Sequence, residues 1–173
     1  GALVDSVCAV DANTPPVNYS LTNTDCDDTN PAYSINCPPV NDNCAGAIVL
    51  PVGTSCSLQA YSSLFATASG GANPTCGFYQ GGDVWFMATV PASGNLRVEV
   101  TDISPFNAQF AIYTGSCGVL TQISCNQLDG EITFSDPALA NQTIFIRVYG
   151  YNSAAGGSFS ICLFEPTVPS NNN

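Results

Sequence analysis

From residue 44 onward, apolar and polar residues alternate with a period of two, interrupted by clusters of Gly, Pro, Asn and Ser. Such clusters, recurring every 8–12 residues or so, are the signature of an all-β sandwich or barrel. Around 94–101, Leu96, Val98 and Val100 share one face while Arg97, Glu99 and Thr101 share the other, the pattern of a strand with one wet face. The same reading predicts strands at 83–90, 94–100, 107–114, 119–125, 143–151 and 157–164, with weaker ones at 46–50, 56–67 and 130–135. In two of them both faces are apolar. Trp85 and Met87 oppose Val84, Phe86 and Ala88, and Phe145 and Tyr149 oppose Ile144, Ile146 and Val148. That pattern predicts central strands covered on both sides, with Trp85 in a core. No stretch sustains a 3.6-residue period. The expected fold class is all-β: an antiparallel β-sandwich, jelly-roll-like, carrying an irregular disulfide-stapled N-terminal arm.

The arm is residues 1–43, where proline and acidic residues replace the alternation. With no periodic apolar face it cannot build a core alone, so it must be stapled, hold an ion, or lie on something else. The sandwich is expected at 44–165 and a linker or tail at 166–173. The start at Gly1, without Met or a signal-peptide pattern, predicts a mature or excised piece of a longer precursor.

Charge narrows the partners. Thirteen acidic residues face Arg97 and Arg147 alone, with no Lys or His, for a net charge of −11. Such a chain repels polyphosphate, so nucleic acid and anionic membranes are poor partners and cations are natural ones. No apolar run approaches the ~20 residues a membrane helix needs, so membrane insertion is not expected. The nine cysteines form no C-x-x-C pair and have no histidine beside them. They predict disulfides in an oxidising compartment, hence an extracellular protein, secreted or held at the cell surface. Spacing suggests Cys117 with Cys125 across a hairpin, Cys44 with Cys56 across a Pro-Val-Gly-Thr turn, and Cys8 with Cys26 around the arm. Cys37, Cys76 and Cys162 remain, and the odd number leaves one thiol free or bonded outside the chain.

The densest chemistry lies at 23–34, "NTDCDDTNPAYS". Asn23, Asp25 and Asp27 alternate and are joined by Asp28 and Asn30, a set of hard oxygens that suits Ca²⁺. An EF-hand is excluded, since its sixth position needs Gly and holds Asp28, and its twelfth needs Glu and holds Ser34. The alternative is a solvated acidic turn. Structural calcium is the expectation, because the arm needs a staple that is not hydrophobic.

Catalysis finds little footing. Without His and Lys, the Ser-His-Asp, Cys-His and Schiff-base arrangements are unavailable. A glycosidase-type pair could be drawn only from Asp83, Glu99, Asp102, Asp129 and Glu131, and their spacing singles out none. Asp83 reads as a strand-start residue satisfying backbone donors, Glu99 as a partner of Arg97 or Arg147. The protein is therefore expected not to be an enzyme. If a sugar binds, Tyr79, Tyr149 and Tyr151 are the candidate contacts.

The span from Cys8 to Ser34, with Cys8, Asp25, Cys26, Asp27, Asp28, Asn30 and Pro31, resembles the second half of the acidic calcium repeat of secreted bacterial proteins, thrombospondin type-three-like in character. Its D-x-D-G-D-G half is missing. The remainder is similar to the pre-peptidase C-terminal domain, through Cys44, Asp83-Val84-Trp85-Phe86, Tyr113, Cys117, Cys125 and the closing "GSFSI". That resemblance implies a non-catalytic extracellular module, structural or adhesive. The first expectation is a subunit of a bacterial surface fibre, linked through its arm to copies of itself or to neighbouring modules. The alternative is an accessory domain of a secreted hydrolase or peptidase, binding polysaccharide or aiding secretion.

Overall fold

The computed structural model describes residues 37–103, 106–126, 130–153 and 155–167. The chain divides into two units, Gly1–Pro38 and Pro39–Asn173. Of the first, only Cys37 and Pro38 are described, so the proposed calcium ligands and the Cys8–Cys26 pairing lie outside the described residues. The second unit begins at Pro39, ahead of Cys44, and takes in the buried Asn41 and Asp42.

Among the described residues, ten strands form two five-stranded layers. They are β1 (Ile48–Val49), β2 (Val52–Gly53), β3 (Gln59–Ser62), β4 (Val84–Thr89) and β5 (Asn95–Ile103), then β6 (Ala108–Ser116), β7 (Val119–Asn126), β8 (Glu131–Ser135), β9 (Thr143–Gly150) and β10 (Ser158–Phe164). One sheet has the order β1-β4-β9-β6-β7; the other runs β2-β10-β5-β8, with β3 also on β10. The alternation explains the layers. Phe86, Ile146, Phe110 and Ile112 of the first sheet meet Leu96, Val98, Phe159 and Ile161 of the second in one dry core. Every strand expected from the sequence is present. Pairing is antiparallel except for β1 with β4 and β2 with β10, which are parallel.

Those two exceptions share a cause. The run Ile48–Gly53 starts in one sheet and ends in the other, with Pro51 at the crossing and Leu50 buried between the layers. Proline cannot donate to a ladder, so the strand breaks there and its halves pair with different neighbours.

Disulfides follow this geometry rather than local spacing. Cys44 bonds Cys117, Cys56 bonds Cys162 and Cys76 bonds Cys125, with Cα separations of 5.6, 5.4 and 6.1 Å. The expected Cys117–Cys125 pair fails because 119–126 is one extended strand, not a folded-back hairpin. At about 3.3 Å per residue its two ends lie far beyond disulfide reach. The expected Cys44–Cys56 pair fails because the chain between them crosses from one sheet to the other. Cys37 is disulfide-bonded as well, so all seven described cysteines are oxidised and the odd thiol is not among them.

Candidate functional site

The outer face of the first sheet is apolar, as the alternation predicted. Trp85, Ala111, Tyr113, Phe145 and Tyr149 form a second cluster there, backed by Met87 and Leu120. What covers them is the long segment between β3 and β4, residues 63–83, which has no periodicity of its own. It is held down by charge and by sulfur.

The charged clamp is Arg147 with Asp83. Arg147 stands on β9 directly opposite Trp85 of β4 and Ala111 of β6, the alanine leaving room for the guanidinium. It is 1% exposed, and its Nε donates to Asp83 Oδ2 at 2.9 Å while Nη2 reaches Oδ1 at 3.2 Å. Asp83, fully buried, also accepts from the Ser69 amide at 3.0 Å, the Ser69 hydroxyl at 2.5 Å and the Tyr79 hydroxyl. The remaining guanidinium donors reach Tyr79 Oη at 2.6 Å and the Ala72 carbonyl at 3.2 Å. Trp85 completes the ring of bonds by donating from Nε1 to Ser69 Oγ at 2.6 Å. The guanidinium lies 4.4 Å from the Tyr79 ring centroid and 5.2 Å from that of Trp85, a pair of cation–π contacts. Burial, the largest single influence, lowers the Arg147 pKa, but Asp83 with Tyr79 and Tyr113 together raise it on balance, so the charge persists at any working pH. Thr67, at the near end of the segment, is tied to the buried Asp42 by its amide at 2.5 Å and its hydroxyl at 2.6 Å. The Cys76–Cys125 bond fixes the far end to β7.

Between these anchors the cover leaves a cavity of about 540 Å³. Trp85, Tyr113 and Arg147 contribute to its wall. Its rim is built from three pieces: residues 43–45, where the 3-10 turn Cys44–Gly46 begins, the loop at 69–72, and the β6–β7 hairpin at 118–120. The Cys44–Cys117 bond joins the first piece to the third. Among the described residues, no carboxylate lines this wall. Trp85 and Tyr113 sit as a tilted pair with centroids 5.6 Å apart. The Tyr113 hydroxyl is buried and has no hydrogen-bond partner at ordinary geometry among the described residues, a condition that costs about 1–3 kcal/mol.

Three phenols feel this environment. Burial is the largest cause in each case, and it raises the pKa of Tyr79, Tyr113 and Tyr149 above the usual value of 10.0. Asp83 adds to the rise at Tyr79, the neighbouring Tyr113 adds to it at Tyr149, and Arg147 partly opposes it in all three. A phenol whose folded pKa exceeds its unfolded one contributes stability that is complete below about pH 10 and is lost as pH climbs through the folded value. Ultraviolet titration should therefore show these three ionising only along with alkaline unfolding. Phenolate absorbance from all of them near pH 10, with the fold intact, would contradict the buried arrangement.

The residues singled out from sequence fall in different places. Tyr149 is fully buried and donates to the Cys76 carbonyl at 2.8 Å, leaving it no surface for a sugar. Tyr79 is half-buried in the arginine network and packs edge-on to Tyr149 at 5.4 Å. Tyr151 is exposed and pairs with exposed Phe78, centroids 5.5 Å apart. Asp83 does serve a backbone donor, at Ser69, but its main partner is Arg147. Glu99 pairs with Arg97 at 2.6 Å, and Glu131 joins the same guanidinium. Glu99 therefore stands on the outer face of the second sheet, the opposite side of the sandwich from Asp83, and the two form no catalytic pair. Asp102 accepts from the Ala108 amide; Asp129 lies outside the described residues. Cys56, Glu99 and Cys162 cluster within 4.8 Å, but the two sulfurs are bonded to each other and are not free as ligands.

Sequence reasoning missed the clamp and the cavity. A signal for the first was present: Asp83 and Arg147 share the parity of Trp85 and Tyr149, which places both charges on a covered face.

No curated protein sequence matches this one. Among solved structures, the chain is similar to the pre-peptidase C-terminal domain of a collagenase from Bacillus anthracis, at 12% identity and a TM-score of 0.44, covering 68% of this chain and 95% of that one. It is similar to PliG of Aeromonas hydrophila, a periplasmic inhibitor of g-type lysozyme, at 19% identity and a TM-score of 0.42, covering 68% and 96%. A third is the Yersinia pseudotuberculosis-derived mitogen, at 15% identity and a TM-score of 0.40, covering 69% and 92%. The family profile of a T9SS-associated, galactose binding domain-like module matches residues 40–161, strand β1 through most of β10. The chain belongs to this T9SS-associated, galactose binding domain-like family.

Proposed function

We propose that the chain is a non-catalytic adhesive module, which attaches the secreted or surface protein it is part of to extracellular polysaccharide. The observation that carries this reading is the commitment of Asp83. Asp83, the carboxylate that holds Arg147 of the cavity wall, accepts from Arg147, Ser69 and Tyr79 together. A carboxylate so fully bonded stabilises a fold but has no lone pair or proton to spend on a substrate. The cavity therefore has the means to hold a ligand and, among the described residues, lacks an acid–base pair to cleave one. Membership in a T9SS-associated family and three described long-range disulfides fit a place outside the cell.

A second reading, the fibre subunit, is favoured by β7. This edge strand runs for eight residues without a charge or a proline and exposes Val119 and Ile123. Such an edge is a template for another strand. One sedimentation experiment separates the two readings. The adhesive module should pellet with insoluble polysaccharide, release no reducing ends, and stay in solution alone. Pelleting without polymer, reversed by a chelator, would favour the fibre. Soluble protein with every polymer tried, or release of reducing ends, would overturn the adhesive reading.

A further inference from the structure

We propose that the cavity on the outer face of the first sheet is a binding site for an uncharged, hydroxyl-rich ring, a neutral sugar unit, with the Tyr113 hydroxyl as its buried hydrogen-bonding group. This rests on the adhesive reading above and names the site and ligand class that reading leaves open. Size comes first: about 540 Å³ is within the range of small-molecule pockets and admits a ring with part of its neighbour. Charge comes second. Among the described residues Arg147 is the one charged residue on the wall, and its guanidinium is neutralised by Asp83 at 2.9 Å and bonded to Tyr79 and the Ala72 carbonyl. The site thus offers no unspent charge, and a chain of net charge −11 disfavours an anion. A neutral ligand meets neither penalty.

The wall chemistry is third. Val119 and Leu120 supply the accessible apolar surface on which the C–H face of a sugar packs, with the nearly buried Trp85 and Tyr113 at the floor. Tyr113 is 5% exposed, and its hydroxyl, though near enough to Arg147 for the guanidinium to favour its ionised form, makes no hydrogen bond of ordinary geometry among the described residues. A phenylalanine would fill the same volume without burying an unsatisfied group. The hydroxyl gains its partner when a hydroxyl-bearing ligand fills the cavity. Access is fourth. A Cβ added at Gly70, Gly71 or Gly118 would meet nothing within 4 Å, so the rim opens to solvent at both the 69–72 loop and the β6–β7 hairpin.

Trp85 is the single tryptophan, so its emission reports directly on the cavity. The test titrates neutral gluco-, galacto- and manno-oligosaccharides, with oligogalacturonate as the charged control, into the wild type, Tyr113→Phe and Gly70→Phe. Gly70 is exposed with open space around it, so its phenylalanine blocks the mouth without touching the core. The expected result is a saturable change in emission with at least one neutral series and none with the control. Tyr113→Phe should weaken binding about tenfold while leaving the unfolding midpoint unchanged or raised, and Gly70→Phe should abolish the response. Tyr113→Phe that binds as tightly as wild type, or that unfolds more readily, would show a hydroxyl serving water or the fold and would overturn the proposal. So would a silent Trp85, or a response to the charged control alone. If the protein still pellets with polysaccharide while Trp85 is silent and Gly70→Phe has no effect, this site is refuted and the adhesive reading survives. If pelleting fails as well, both fall.

Discussion

Arg147→Met is expected to lower the free energy of unfolding by about 3–5 kcal/mol, the range for removing one partner of a buried ion pair. Methionine keeps the aliphatic stem and gives up the guanidinium, with its contacts to the Tyr79 and Trp85 rings. What remains is the damage: Asp83, fully buried, keeps its charge site without its cation, and Tyr79 and the Ala72 carbonyl each lose a donor. Because these groups tie residues 69–83 to the sheet, the loss should appear first as fast amide exchange at Ser69 and Asp83, ahead of the strands. The double variant Asp83→Asn with Arg147→Met removes both charges but keeps an amide oxygen for the Ser69 N–H. It should be more stable than Arg147→Met alone, since the cost of a broken buried pair is mostly the abandoned charge. Denaturant titration of the four-protein cycle checks this. A single-variant loss below about 1 kcal/mol would place the clamp among ion pairs that add little.

This clamp also marks the limit of what the sequence discloses. Strand positions are legible because sandwich strands carry their burial in their own period: Leu96, Val98 and Val100 face the core and Arg97 and Glu99 do not. The double apolar character of 84–89 and 143–150 likewise discloses a covered outer face. What period cannot disclose is which aperiodic segment does the covering. Residues 63–83 are rich in turn formers and carry no alternating apolar pattern, and their place is set by contacts such as Ser69 with Asp83, reached across the fold. β2 was hidden for a related reason, since Val52 and Gly53 pair with β10 only because Pro51 ends the preceding ladder. The disulfide partners were illegible because sequence proximity was the only distance available. In a sandwich, cysteines close in sequence are separated by an extended strand, while partners meet across turns and edges. The cavity combines both difficulties: its rim comes from 43–45, 69–72 and 118–120, three loops that no local pattern joins.

Loss of the Cys56–Cys162 bond, in Cys56→Ala with Cys162→Ala, is expected to cost about 2–5 kcal/mol. The bond joins residues 106 apart, a loop for which chain-entropy arguments give a value near the top of that range. Its position sharpens the expectation. β2 and β3 both lie along the same side of β10, with Cys56 in the stretch between them and Cys162 buried within β10. These are strands of two and four residues, too short to hold an edge by ladder bonds alone. Two mechanisms are therefore separable in one variant. If the bond acts by restricting the unfolded chain, the slope of unfolding against denaturant should rise, as the freed chain exposes more surface, while native amide exchange at Gln59–Ser62 stays slow. If it acts as a clamp on the edge, the slope should hold and exchange at Gln59–Ser62 should quicken well before global unfolding. The length of the loop argues for the first and the brevity of β2 and β3 for the second. The two effects add, so a total loss under about 1 kcal/mol would contradict both, and would mean that β10 holds its edge through Phe159, Ile161 and Leu163 in the core rather than through the cross-link.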